Sequence, residues 1–235
     1  RCLSRGLGDV YKRQVEHSRP DLRRVVKELT LPQLVECLKY KRDTVVVGER
    51  VNGYVERNPL FKELLNDVFA KSVVANEGPE GCVVVLDHTD FNTTSTMVGE
   101  GVKLADIRVP NSFHGNEMKK NAEYGSAVTP LGLVEYIRGE EGPIRAMYAD
   151  LCGTVDEAKE VINALVETRR LAKGALLMVT ICERSKVDSG LSGGRDQSTD
   201  LAEMLQPLGT YKKVKEGCVD YGAGARMATY TWRIS

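Results

Sequence analysis

The chain has 235 residues, with 33 Lys and Arg against 33 Asp and Glu, and 42% of its residues are hydrophobic. A formal net charge of zero excludes a strongly basic nucleic-acid binder of the histone type, although it leaves room for a local basic patch. The longest apolar run, from Ala175 to Cys182, is far shorter than the roughly 20 residues that a membrane-spanning helix needs. This composition is that of a soluble globular domain, with or without a helical extension.

The cysteines carry little signal for metal or disulfide chemistry. The six of them are scattered along the chain, and no CxxC pair occurs. This spacing speaks against a zinc ribbon and against a disulfide scaffold. Because no apolar signal segment is present either, we expect a cytoplasmic protein without a membrane partner.

The N-terminal part of the sequence differs from the rest in its pattern of apolar residues. Residues 1–14 have no apolar periodicity and resemble an adapter- or vector-derived leader, so we expect them not to be native. Residues 15–54 form an N-terminal extension, in which apolar residues at helical spacing predict helices over 19–42. A short strand is predicted at Thr44–Val47.

The remainder alternates between two kinds of pattern. Pro at the first turn and apolar residues at helical spacing predict a helix from Asn58-Pro59 to about Ala75. From Gly81 onward, β-branched apolar runs alternate with helical patterns, which indicates a parallel sheet covered by helices on both faces. The predicted strands are 82–88, 104–111, 125–128, 143–150 and 174–184. The predicted helices are 94–99, 116–123, 131–138 and 155–171.

The C-terminal part breaks this alternation. After a short helix at 201–205, two strands, 209–216 and 225–234, are predicted to form an antiparallel edge pair. In this order of elements the segment 55–235 resembles the class I S-adenosylmethionine-dependent methyltransferases, whose last two strands form such a hairpin. The resemblance implies an α/β fold with a doubly wound, mostly parallel seven-stranded sheet and a C-terminal antiparallel hairpin, preceded here by the helical extension 15–54.

Polar residues stand at the end of every predicted strand of the parallel part. In open parallel sheets a ligand lies beyond these carboxyl ends, near the switch in strand order. The resemblance implies S-adenosylmethionine as the ligand. The cofactor-binding residues that it implies are Asp87, Asn92, Thr93 and Thr94 at the methionine end, Asn111 at the ribose, and Ser126 and Ala127 at the adenine.

Two of these assignments depart from the family pattern. The Gly-x-Gly-x-Gly turn is absent, and Asn92 with the two following Thr takes its place. Asn111 stands where the family has Asp or Glu. The cluster from Asn92 to Ser95 has a second interpretation as an ordinary helix cap, because Asn, Thr and Ser are favoured there for local reasons.

The fourth strand end, ADLCGT at 149–154, resembles the catalytic loop of methyltransferases and, more loosely, that of tRNA guanine-N2 methyltransferases. The resemblance implies that Asp150 is catalytic and orients an acceptor amine towards the methyl donor. The alternative is structural, with Asp150 ending the strand and Thr154 capping the next helix. Cys152 is a further candidate, as the nucleophile of a cytosine-C5 type of reaction.

His88 and His114 follow the first two strands and could face one cleft together with Asp87 or Asp90. The four residues have no helical metal-ligand spacing, and we predict no metal.

The sequence thus predicts methyl transfer from S-adenosylmethionine to an acceptor that it does not identify, whether nucleic acid such as RNA, protein or a small molecule. The alternative is a catalytically inactive binding or scaffold module of the same fold. A third possibility is another doubly wound enzyme, such as a nucleotide-dependent hydrolase.

Overall fold

The structure is a computed structural model, and it describes residues 50–51, 54–55, 59–76, 79–139, 142–151, 155–183, 197–208, 211–213, 217–221 and 225–234. The predicted leader, the helices at 19–42 and the strand at Thr44–Val47 lie outside the described residues, as do Cys152 and Thr154. The division of the chain into 1–14, 15–54 and 55–235 stays a prediction.

The described residues contain six α-helices and ten strands. The helices are α1 (Pro59–Val74), α2 (Asn92–Gly99), α3 (Gly115–Met118), α4 (Leu133–Gly139), α5 (Val155–Thr168) and α6 (Gln197–Leu205). The strands are β1 (Arg50–Val51), β2 (Tyr54–Val55), β3 (Cys82–Val85), β4 (Ile107–Pro110), β5 (Val128–Thr129), β6 (Ile144–Asp150), β7 (Leu171–Glu183), β8 (Tyr211–Lys213), β9 (Gly217–Tyr221) and β10 (Ala225–Ile234). Of the helices that the structure describes, none is both long and apolar enough to cross a membrane.

The main sheet is mixed and mostly parallel. Its strand order is β5-β4-β3-β6-β7-β10-β8, and the first five strands run parallel while β10 is antiparallel to β7. The α/β class and the antiparallel C-terminal pair are therefore confirmed. The sheet has eight strands rather than seven, because β9 and β8 pair with the first and last parts of β10.

Some element boundaries differ from the prediction for local reasons. Residues 125–127 form a 3-10 helix, so β5 begins only at Val128. Arg169 adopts a left-handed φ of 50°, which ends α5 at Thr168 and lets β7 begin at Leu171. β1 and β2 form a separate two-stranded antiparallel ladder, which was not among the elements predicted before residue 55, namely helices over 19–42 and a strand at Thr44–Val47.

The sheet is buried on both faces, as its continuous apolar strands require. Val83 and Val85 pack with Phe69 of α1 and Met97 of α2 on one face. Val84 points to the other face, where α4, α5 and α6 form the second core. The chain is thus doubly wound around β3.

One close approach fixes the start of the central strands. Gly81 has a φ of 133°, and a Cβ added there would lie 2.4 Å from the carbonyl oxygen of Pro143. The neighbouring Cys82 N–H donates to that same oxygen at 3.0 Å. Only glycine fits this contact between the strands β3 and β6.

We predict that Gly81→Ala lowers the free energy of unfolding by about 3 kcal/mol, because it adds a steric clash to an unfavourable backbone conformation. Gly101→Ala is the matched control, since Gly101 has a φ of 102° but nothing within 4 Å of an added Cβ. Its expected loss is about 1 kcal/mol. Urea denaturation measures both, and equal losses would show that the contact with Pro143 relaxes.

Candidate functional site

The site lies where the direction of winding changes. From β3 the chain proceeds to β4 and β5 on one side and to β6 and β7 on the other. Val85 of β3 lies opposite Tyr148 of β6, so Asp87 comes level with Asp150 two residues further on. Asn111 is level with Asp87 on the other side, and its side-chain amide donates to the Asp87 carbonyl oxygen at 3.0 Å. Three predicted site residues therefore form a row along the carboxyl edge of the sheet.

Asp87 anchors the start of α2. One carboxylate oxygen, Oδ1, accepts the Thr93 N–H at 3.0 Å, and Oδ2 accepts the Thr94 N–H and the Thr94 hydroxyl, both at 2.7 Å. Burial raises the pKa of this carboxyl above its ordinary value of 3.8, and the hydrogen bonds from Thr94 and Thr93 offset part of that rise. The carboxylate thus caps the helix from six residues upstream.

The first turn of α2 faces inward more than outward. Thr93 and Thr94 are buried, and the Thr93 hydroxyl donates to Asn66 Oδ1 at 3.2 Å. Phe91 is the N-cap residue, with a left-handed φ of 50° and no side-chain capping bond. Asn92 is exposed. The interpretation as a helix start is correct, but the capping side chain is Asp87 and not a member of the Asn92–Ser95 cluster.

Asn111 ties the ends of β3 and β4 together. Besides the bond to Asp87, its Oδ1 accepts the N–H of Phe113 at 3.0 Å and that of His114 at 2.7 Å. This carbonyl oxygen, which was expected to meet ribose hydroxyls, already accepts two N–H groups from its own loop.

The two histidines come together as expected of a shared cleft. Their rings are T-shaped with centroids 4.7 Å apart, and both side chains are exposed. His114 Nδ1 lies 3.8 Å from Glu117 Oε2, while Asp87 is turned towards α2. Among the described residues, no group of three or more His, Cys, Asp or Glu is placed to hold a metal.

Asp150 has a partner that lies far away in sequence. Its Oδ2 lies 3.1 Å from Nζ of Lys62, in the first turn of α1. The Asp150 side chain is 11% exposed and that of Lys62 is 41% exposed. An ion pair therefore stands at the end of β6, next to the switch in strand order.

Ser126 and Ala127 do not follow a strand. They lie in the 3-10 helix before β5, where Ser126 is exposed and Ala127 is buried. Because β5 is parallel to β4, its carboxyl end is followed by Pro130 and Leu131 instead.

A cavity of about 650 Å³ opens on the α4 and α5 side of this edge. It includes Leu151, which follows β6, and Phe113, whose side chain is 93% exposed. Its lining residues are Phe113, Gly132, Leu133, Val134, Glu135, Arg138, Gly139, Leu151, Glu157, Glu160 and Val161. Sequence reasoning missed both Phe113 and Lys62. The position of Phe113, two residues after Asn111, was an available signal, whereas Lys62 had none.

Comparison with solved structures gives the same architecture. Magnesium protoporphyrin IX methyltransferase from Synechocystis PCC 6803, solved with bound S-adenosylmethionine, matches with a TM-score of 0.52 at 12% identity, over 80% of this chain and 86% of that chain. The chain has a Rossmann-like methyltransferase fold. Identity this low establishes the fold and not the reaction.

Two further structures match less well. A candidate methyltransferase from Escherichia coli gives a TM-score of 0.49 at 13% identity, over 84% of this chain and 94% of that chain. The N-methyltransferase NodS from Bradyrhizobium japonicum WM9 gives 0.48 at 10% identity, over 75% and 98%. No protein-family model and no curated protein matches the chain.

Asp87 makes the stability of the protein depend on pH with a definite sign. Its pKa is raised on folding, so its contribution is fully present below 3.8 and is lost as the pH rises through the folded-state value. We expect the unfolding free energy of the wild type, minus that of Asp87→Asn, to fall as the pH rises from about 4 to about 7. Urea denaturation across this range tests it, and a difference that grows with pH would show that the hydrogen bonds outweigh burial.

Asn111→Asp should destabilise the protein by about 2 kcal/mol, because it removes the donor to the Asp87 carbonyl and places a carboxylate there. The control is Asn121→Asp. The Asn121 Oδ1 accepts two backbone N–H groups in the same way, from Glu123 and Tyr124, both at 2.9 Å. An aspartate preserves these bonds, so thermal denaturation should show little change. Equal losses would mean that the donor to Asp87 contributes nothing.

Proposed function

We propose that this protein binds S-adenosylmethionine at the carboxyl edge of its sheet and transfers the methyl group to an acceptor. The observation that carries the proposal is the methyltransferase fold together with a cavity on the edge where its parallel strands end. Ligands of α/β sheets bind at this edge, beside the switch in strand order. The Synechocystis enzyme of the same fold holds S-adenosylmethionine.

The cavity beside α4 and α5 suits the adenine. Its volume of about 650 Å³ is typical of a small-molecule site. Leu133, Leu151 and Val161 give it apolar walls, and the exposed ring of Phe113 offers a stacking surface. The proposal therefore places the adenine here rather than against Ser126 and Ala127, which precede β5.

The residues implied for the methionine and ribose ends have mainly a supporting role in this proposal. Hydrogen bonds join Thr94 to Asp87, Asn111 to the Asp87 carbonyl, and Thr93 to Asn66 of α1. They hold the segments that follow β3 and β4 in place. Asn92, exposed on the first turn of α2, is the member of this set that faces solvent.

Asp150 is the proposed catalytic residue. The cofactor supplies a methyl group on a positively charged sulfur. The Asp150 carboxylate, at the end of β6 beside the switch point, accepts a hydrogen bond from an acceptor N–H and aligns the nitrogen with that methyl group. Alignment of this kind accounts for a large part of the rate gain in group transfer.

Other parts of the proposal rest on the sequence. The acceptor stays open among nucleic acid, including RNA, protein and small molecules. We expect the protein to act in the cytoplasm and the residues before 55 to form a separate extension. The alternative of a catalytically inactive scaffold module keeps the same fold, so only binding and turnover separate it from an enzyme.

The experiment is calorimetric titration of the full chain with S-adenosylmethionine and S-adenosylhomocysteine. We expect binding of the wild type and about tenfold weaker binding by Phe113→Ala, because base stacking on an aromatic ring contributes about 1–3 kcal/mol. Val74→Ala removes another exposed apolar side chain, at the far end of α1, and should bind like the wild type.

Three results would change the proposal. If the folded wild type binds neither ligand at millimolar concentration, the cofactor is wrong. If both bind and Phe113→Ala is unaffected, the adenine lies elsewhere. If the ligands bind but no S-adenosylhomocysteine is released in the presence of total cell RNA, protein or small-molecule extract, the scaffold module is favoured.

A further inference from the structure

We infer that Lys62 is a positioning residue for the methyl transfer, and that by pairing with Asp150 it compensates the charge of that carboxylate at the reacting end of the site. This inference rests on the proposed function. Lys62 belongs to α1, whereas the site residues implied by the sequence lie at the carboxyl ends of the strands.

The geometry brings Lys62 to the site across 88 positions of sequence. Its Nζ lies 3.1 Å from Asp150 Oδ2, and it belongs to the first turn of α1. One turn later on the same helix, Asn66 accepts the buried Thr93 hydroxyl at 3.2 Å. The amino end of α1 is thus fixed to the start of α2, and Lys62 is carried to the carboxyl edge by this packing.

The burial of Asp150 makes its ion pair with Lys62 electrostatically more important than a surface pair. In the surface pair of Arg138 with Glu167, both side chains are more than half exposed, and such pairs are strongly screened by water and salt. The Asp150 side chain is only 11% exposed. Its charge is less screened, so it acts on a neighbouring ion unless a cation compensates it.

The cofactor and its product make this compensation measurable. S-adenosylmethionine carries a positive sulfonium, and S-adenosylhomocysteine has a neutral thioether in its place. A charge-balanced pair favours neither ligand on electrostatic grounds. An uncompensated Asp150 favours the sulfonium, whereas an uncompensated Lys62 disfavours it. Because Lys62 holds Oδ2, the pair also directs an acceptor N–H to the other carboxylate oxygen.

The test measures the ratio of the two dissociation constants, for S-adenosylmethionine over S-adenosylhomocysteine, by calorimetry at low ionic strength. Lys62→Met should lower this ratio about three- to tenfold, and Asp150→Asn should raise it by a similar factor. The double variant, which carries neither charge, should return to the wild-type ratio, as should Lys62→Arg. Raising the salt concentration should shrink both shifts.

Lys71→Met is the matched control, because it removes the same charge from the same helix, about 13 Å further along its axis. The ratio should stay at the wild-type value. If both ligands bind but the ratio in Lys62→Met also stays there, or if both ligands weaken equally, Lys62 has a structural role only and the inference is overturned while the proposed function stands. If the wild type binds neither ligand, both fail.

Discussion

The hydrogen bonds of Asp87 are the interactions on which the loops at the carboxyl edge of the sheet depend. Its two carboxylate oxygens hold the first turn of α2, while its own carbonyl oxygen holds Asn111, which in turn holds the loop up to His114. One residue thereby fixes the segments that follow β3 and β4. Two of the first N–H groups of α2 are used by this carboxylate, so the helix start presents less positive potential to a ligand than a Gly-rich turn would.

Asp87 and Asp150 lie side by side at the carboxyl ends of the neighbouring strands β3 and β6, but their contacts give them different roles. Asp87 accepts hydrogen bonds from two backbone N–H groups and a hydroxyl of the first turn of α2, so its carboxylate is occupied by the fold. Asp150 is paired with a side chain that is 41% exposed and sits on a flexible stem. A substrate can approach this pair without disturbing the backbone, which is the reason that we propose Asp150, and not Asp87, as the catalytic residue.

The sequence predicted the features that depend on neighbouring residues and missed those that depend on packing. Apolar β-branched runs located β3, β6 and β7, and alternation located β10. By contrast, the carboxylate that caps α2 belongs to Asp87, six and seven positions before the N–H groups it accepts, and the partner of Asp150 lies 88 positions away in α1. Neither contact has a local pattern, because each exists only once α1, α2 and the sheet have packed.

The structure also gives a physical reason for the absence of the Gly-x-Gly-x-Gly turn after β3. Phe91 occupies the left-handed conformation that a glycine adopts without strain, and its ring is buried 5.5 Å from that of Tyr124. Packing of this buried ring against Tyr124 offsets the unfavourable backbone conformation. A buried aromatic ring thus follows β3, and a cavity of the described residues lies beside Phe113. In the proposed function, a bound cofactor therefore gains its affinity from the cavity beside Phe113 and from the charges at the end of β6.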